Sequence, residues 1–200
     1  MLHVQYGQRT ETRERQSFHA IADALNCTCR RVIRMDYIGQ FGGSGLTDTD
    51  LEIPVTGIEP GCVPITYVPF RNANLFAAAV SWAEVIGAGH VYVGINQMDS
   101  SGYPDCTREF LDAFNHAIRT GTRPDTQIEI VAPLMVMSKA MIVTTGVRIG
   151  APLDRSWSCY KNSDQACGLC DSCRLRLAGF KAAGIRDPIP YEQIPEDLRI

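Results

Sequence analysis

Asn72-Ala73-Asn74-Leu75-Phe76-Ala77-Ala78-Ala79-Val80-Ser81-Trp82-Ala83-Glu84-Val85-Ile86-Gly87-Ala88-Gly89-His90-Val91-Tyr92-Val93-Gly94-Ile95 is the stretch that decides the fold. Residues 72–86 are dense in Ala, Leu, Phe and Val and read as a buried helix. Gly87 and Gly89 end it, because glycine takes the backbone conformation that closes a helix without a side-chain penalty. His90 to Ile95 then reads as the clearest strand in the chain. A helix delivered through glycines into a strand is the building unit of an α/β fold.

The flanking sequence repeats this alternation. Upstream, His3-Val4-Gln5-Tyr6 reads as a short strand. A helix from about Thr10 to Ala24 follows, with Phe18, Ile21, Ala22 and Leu25 at spacings of three and four. Arg30 to Met35 reads as a second strand. Downstream, a turn-rich segment from Asp99 to Cys106 leads into a helix from about Thr107 to Thr120. Gln127 to Ala132 makes a fourth strand, and Ser138 is placed to N-cap a short helix reaching about Ile149. The expected architecture is α/β with a mainly parallel sheet. Residues 38–64, rich in Gly, Pro, Thr and Asp, read as a long functional or disordered loop. The tail past Asp187 contains three prolines and reads as irregular. No boundary precedes the cysteine-rich end, so the expected division is 1–156 and 157–200.

Composition narrows the function classes. The chain has 200 residues, 45% of them hydrophobic and 20% charged, which is globular and not disordered. A net charge of −3 gives no basic surface for nucleic acid or an acidic membrane. The N-terminus lacks the basic and apolar regions of a signal peptide, and no apolar run approaches a membrane span. The expected location is the cytoplasm, where clustered cysteines read as metal ligands before disulfides.

Four of the eight cysteines cluster as Cys159-x7-Cys167-x2-Cys170-x2-Cys173. Zinc takes four thiolates tetrahedrally, and four protein ligands leave no open position, so the expected site is structural. The rival is an iron–sulfur cluster, because Cys167, Cys170 and Cys173 match the front of a ferredoxin run. Arg174-Leu175-Arg176-Leu177 follows where that run places its fourth cysteine and proline. His3, His19, His90 and His116 show no metal spacing.

Several blocks carry a family resemblance. They are Tyr6-Gly7-Gln8-Arg9, Val68-Pro69-Phe70-Arg71-Asn72, Asp99-Ser100-Ser101-Gly102-Tyr103-Pro104-Asp105-Cys106, Pro133-Leu134-Met135 with Lys139-Ala140, and the block from Ser158 through the cysteines to Pro188. In this order they resemble the 7-cyano-7-deazaguanine synthase (QueC) family of PP-loop ATP pyrophosphatases. The resemblance implies a Rossmann-like (adenine nucleotide alpha hydrolase-like) parallel sheet with helices on both faces, a C-terminal four-cysteine zinc segment and a homodimer. It implies ATP-dependent conversion of 7-carboxy-7-deazaguanine and ammonia to 7-cyano-7-deazaguanine in queuosine biosynthesis, with Mg2+ accompanying ATP and no nucleic-acid or membrane partner.

The family's first strand, its S-G-G-x-D-S loop and its first helix have no counterpart in these residues. The expectation is that they lie upstream of Met1 or are supplied separately. Gly42-Gly43-Ser44-Gly45-Leu46-Thr47-Asp48 precedes Pro54, does not sit between a strand and a helix, and is not read as a phosphate loop.

The resemblance also implies site residues. Arg71 and Asn72, where a loop enters a helix, would meet an anionic or polar ligand group. Asp99, Ser101, Gly102, Tyr103 and Asp105 would bind the deazaguanine, with carboxylates facing N–H donors and Tyr103 offering a stacking face. Gln8 and Arg9 would line the nucleotide side, and Lys139 is the catalytic candidate beside a phosphate or acyl-adenylate. Cys106 reads as a buried structural thiol. The alternative readings are a truncated or non-catalytic relative that binds a deazapurine or a partner chain, and another PP-loop enzyme acting on tRNA. A scarcity of basic charge disfavours the tRNA enzyme.

Overall fold

The computed structural model describes residues 1–55, 62–97 and 102–200. The chain divides into two compact units, one of Met1–Glu59, Ile65–Val68 and Ser138–Ile200, the other of Pro60–Pro64 and Pro69–Met137. The fold is α/β, and among the described residues all strand pairing is parallel.

In the first unit β1 (Leu2–Gln5) pairs with β2 (Arg31–Arg34) in the register Leu2↔Arg31 to Gln5↔Arg34, and α1 (Glu11–Ala24) makes the crossover. Two carboxylates in the first turn of α1 fix its entry from β1. Glu11 accepts from Gln5 Nε2 (2.8 Å) and from the Gly7 N–H (3.3 Å), and Glu14 accepts from Thr10 Oγ1 (2.8 Å) and Gln8 Nε2 (3.0 Å). Acidic groups at this end also meet the positive pole of the helix.

The stretch after β2 is not a free arm. A short helix α2 (Asp36–Gln40) buries Ile38, and the following turns place Leu46 and Ile53 in the same core as Tyr6 and Val68. These apolar residues are spaced irregularly among glycines and threonines, which hides them from a periodicity argument. Residues 56–61 lie outside the described residues.

Helix α5 (Lys139–Arg148) starts at Ser138, whose Oγ accepts from the Met141 N–H (3.2 Å), as its sequence position predicts. It packs on α6 (Asp171–Ala182), a helix that sequence reading does not anticipate. The contact depends on Gly179: a Cβ there would lie 2.6 Å from Lys139 Cβ and 3.3 Å from the Lys139 carbonyl carbon. Gly179→Ala is expected to destabilise the fold by about 1–3 kcal/mol through overpacking. A denaturant midpoint equal to wild type would show that the helices accommodate the added methyl at no cost.

Burial lowers the pKa of His3 from 6.5, the ring being half-buried and stacked on Phe18 at 5.4 Å between centroids. As pH falls below that ordinary value the unfolded chain takes up the proton before the folded chain does. Stability is therefore expected to decline from about pH 6.5 downwards until the folded value is passed. His3→Gln should flatten that part of the stability–pH curve, and an unchanged curve would exclude His3 as its source.

The second unit is built from the deciding stretch. Helix α3 (Arg71–Ile86) ends at Gly87 in the left-handed region (φ 71°) and feeds β3 (His90–Tyr92). Helix α4 (Arg108–Gly121), N-capped by Thr107 Oγ1 accepting from the Phe110 N–H (3.1 Å), leads to β4 (Glu129–Val131). β3 and β4 pair in the register His90↔Glu129 to Tyr92↔Val131. The core is Phe76, Val80 and Ala83 from α3, Leu111 and Ile118 from α4, and Ile128, Ile130 and Met135 around β4. Buried Asn115 on α4 both donates to Ile130 O (3.0 Å) and accepts from the Ile130 N–H (2.8 Å), so its amide satisfies backbone groups of β4.

Candidate functional site

The cysteine block forms the most complete constellation in the first unit. Cys159 precedes a turn, Cys167 lies in the loop before α6, Cys170 caps α6 and Cys173 sits in its first turn. All four side chains are buried, and their sulfurs lie within 4.8 Å of one another. Cys167 Sγ and Cys173 Sγ are 3.9 Å apart. Tetrahedral thiolates about 2.3 Å from zinc are separated by roughly 3.8 Å, whereas a disulfide would need about 2.05 Å.

The surroundings favour sulfur in its charged form. Backbone N–H groups of Lys161 (3.4 Å), Asn162 (3.3 Å) and Cys167 (3.4 Å) donate to Cys159 Sγ, and the Cys170 N–H donates to Cys167 Sγ (3.4 Å). The N-terminus of α6 adds positive potential beside Cys170 and Cys173. Hydrogen bonding from Cys170 holds the Cys159 thiol far below the usual range, and the same contact pushes Cys170 up to about 12. Contact with Cys159 and then Cys170 drives Cys173 upward as well. Four thiolates packed this closely repel one another unless a cation lies between them. The donor set fits a closed four-sulfur metal centre.

The C-terminal segment closes over this loop. The Ala166 N–H donates to Pro190 O (2.9 Å), and the Glu192 N–H donates to Ala166 O (2.9 Å). Gly168 adopts φ 78°, and a Cβ there would lie 1.8 Å from Gln193 O, so no other residue fits. Arg176 of α6 holds Asp187 in a fork, with Nε to Oδ2 at 2.6 Å and Nη2 to Oδ1 at 2.9 Å. Arg176 also donates to Ser156 Oγ (2.7 Å) and Leu153 O (3.2 Å). Asp187 further accepts from Tyr191 OH (2.8 Å) and the Ile189 N–H (3.2 Å). Burial, reinforced by the Asp187 charge, raises the pKa of Tyr191, so its hydroxyl keeps its proton and donates. Sequence reading assigns this network no role. Eleven positions separate Arg176 from Asp187, and nothing in that spacing marks them as a pair.

In the second unit the loop residues converge on the start of α3. The Asn72 N–H donates to Asp105 Oδ2 (2.9 Å), and Asn72 Nδ2 donates to Asp105 O (3.0 Å) and Cys106 Sγ (3.3 Å). Asp105 is buried, and its Oδ1 has no hydrogen-bond partner among the described residues. The Arg71 guanidinium lies 5.7 Å from the centroid of the Tyr103 ring. Gly102 takes φ 77°, which suits glycine. Phe70, the residue before α3, is left-handed (φ 55°) and exposed, and packs edge-on against Phe110. Cys106 is half-buried, less enclosed than its sequence reading implies. Asp99 and Ser101 lie outside the described residues.

The remaining candidates fall in the first unit. The Tyr6 N–H donates to Gln8 Oε1 (2.8 Å), while Gln8 Nε2 donates to Glu14 and to Val4 O (3.4 Å). Arg9 Nη2 donates to Asp48 O (2.6 Å) and to Leu51 O. Lys139 opens α5 with its backbone against Gly179. The glycine-rich stretch has already committed most of its amides. The Gly45 N–H donates to Ile65 O (2.8 Å), the Leu46 N–H to Ser44 Oγ (3.2 Å), and the Thr47 and Asp48 N–H groups to Ser44 O.

The sequence has known relatives. The family model described as "Queuosine biosynthesis protein QueC" matches residues 1–184. The chain is 51% identical over 195 residues to a 7-cyano-7-deazaguanine synthase of Chlorobium luteolum, covering 98% of this chain and 86% of that relative. A Nautilia profundicola protein of the same name is 50% identical over 192 residues (96% and 86%), and one from Koribacter versatilis is 51% identical over 191 residues (95% and 80%). The chain belongs to the QueC family.

Proposed function

We propose that this protein is an ATP-dependent, C–N bond-forming ligase that turns 7-carboxy-7-deazaguanine and ammonia into 7-cyano-7-deazaguanine for queuosine biosynthesis. Identity near one-half over almost the whole chain to proteins named as 7-cyano-7-deazaguanine synthases carries the reading. The chemistry joins ammonia to an activated carboxylate and then removes the amide oxygen in a second activation. The finer fold is Rossmann-like, of the PP-loop type, and the working unit is a homodimer. Among the described residues no helix is long and apolar enough to cross a membrane.

Cys159, Cys167, Cys170 and Cys173 would hold zinc, whose role when bound is to fix the loops before α6. The 200 residues contain no S-G-G-x-D-S segment, and the amides of residues 45–48 are already bonded. Gln8 and Arg9 are assigned to the nucleotide side, fixing the β1–α1 turn and the backbone of residues 48–51. Lys139, at the positive end of α5, is assigned to anionic groups of the activated substrate.

Arg71, Asn72, Asp99, Ser101, Gly102, Tyr103 and Asp105 are assigned to the deazaguanine. Asp105 has the strongest support, because its unpartnered Oδ1 is an acceptor awaiting an N–H donor. Asp105→Ala is expected to weaken deazaguanine binding by about tenfold or more, from the loss of a charge-assisted hydrogen bond, while zinc content stays constant. Calorimetry showing wild-type affinity would take Asp105 out of the site.

The reaction itself is tested by mass detection of the nitrile from 7-carboxy-7-deazaguanine, ammonia, magnesium and ATP. The assay uses this chain and a version extended upstream with the family's phosphate loop. Product from either supports the reading. No product from both, with zinc intact, overturns it in favour of a binding protein.

A further inference from the structure

The segment after α6 contributes no sulfur to the metal centre, yet it is the lid of that centre. It touches the cysteine loop at residues 166 and 168. Pro190 O and the Glu192 N–H bracket Ala166, which is fully buried, and Gln193 O occupies the space where a side chain of residue 168 would be. Ile189 and Tyr191 pack in the same core cluster as all four cysteines. The backbone contacts of this strap lie on an irregular chain, the kind of segment that opens locally. What holds it is the fork between Arg176 and Asp187, with side chains only 12% and 3% exposed, together with the Tyr191 hydroxyl.

A cation leaving a closed four-sulfur site must be reached by water or a competing ligand. The four sulfurs are buried, and the strap lies across the loop that carries Cys167 and Cys170. We propose that residues 187–193 form a latch over the metal loop, fastened by Asp187 and Tyr191 to Arg176, and that opening this latch sets the rate of metal exchange. The proposal rests on the reading of the four cysteines as a zinc site. It assigns Asp187 and Tyr191 a positioning role: neither touches the metal, and both act by keeping the strap closed. Exchange then requires only local opening of the C-terminal segment, well short of unfolding the unit.

The test is zinc transfer from the loaded protein to excess 4-(2-pyridylazo)resorcinol, followed by absorbance far below the melting temperature. Wild type, Asp187→Asn, Tyr191→Phe and Phe18→Ala are compared, with thermal melts of each. Phe18 lies in the same unit but outside the core cluster of the cysteines, so Phe18→Ala lowers stability without touching the latch. The expected result is release accelerated by about tenfold or more in Asp187→Asn and by a smaller factor in Tyr191→Phe, each being loss of a hydrogen bond involving a charged group. Phe18→Ala should release at the wild-type rate despite its lower melting temperature. Equal acceleration in Phe18→Ala would mean that metal leaves by general unfolding and would overturn the latch. Wild-type release rates in both latch variants would overturn it too. A wild-type protein that takes up no zinc overturns it together with the metal reading beneath it.

Discussion

Cys170→Ser is expected to abolish zinc binding and to take the folded first unit with it. Cys170 has no exposed surface, its backbone caps α6, and its sulfur lies within 4.8 Å of the other three. Serine is nearly isosteric, so the lost interaction is the metal–thiolate bond and not packing. Structural zinc contributes roughly 10–16 kcal/mol in small zinc-finger peptides, comparable to or above the roughly 5–15 kcal/mol by which an ordinary domain is stable. Even a fraction of that would leave the variant unfolded at room temperature. Metal analysis by mass spectrometry and circular dichroism provide the check. A soluble, zinc-free Cys170→Ser protein with a wild-type melting curve would end the structural role of the metal. A coloured wild-type protein containing iron would instead return the cluster alternative.

Asp187→Ala should have the second largest effect. Its carboxylate receives the Arg176 fork, a tyrosine hydroxyl and a backbone N–H, and is 3% exposed as a side chain. Truncation leaves the Arg176 guanidinium buried without its counter-charge, a change worth about 3–5 kcal/mol. The melting temperature should fall by roughly 10 °C for a chain of this length. Removing both charges is gentler. Arg176→Leu with Asp187→Leu should lose less than Asp187→Ala alone, since no unpaired charge remains buried. If the double variant is the less stable of the two, the cost comes from packing and not from an orphaned charge.

The sequence was most readable where periodicity and caps coincide. Helices α1, α3, α4 and α5 and all four strands begin and end within a few residues of their expected places, because Ser138, Thr107 and Gly87 act locally. Helix α6 escaped for a specific reason. Its buried face runs Cys173, Leu177, Phe180, a helical spacing, but two of the first four residues from Cys170 also serve as candidate ligands, and ligand spacing masks periodicity. Residues 38–55 escaped because Ile38, Leu46 and Ile53 reach the core from separate turns.

The cysteine constellation was legible because its ligands lie close together in sequence. The fork between Arg176 and Asp187 and the glycine contacts at 168 and 179 depend on distant chain meeting distant chain, which one sequence does not display. The meeting of Asn72 with Asp105 spans thirty-three positions and was reachable only through resemblance.

The division of the chain has a consequence for its synthesis. The first unit is interrupted: Tyr6, Ile38, Leu46 and Ile53 leave the ribosome early, whereas Cys159 to Cys173 and Ile189, which complete their core, are made last. Residues 69–137, which hold the second unit's core, are complete before the cysteines are made. A nascent chain therefore carries an apolar surface awaiting its other half until the cysteines emerge. If the four cysteines close around a metal, its supply at that moment would help decide whether a newly made molecule closes or is captured by chaperones and proteases.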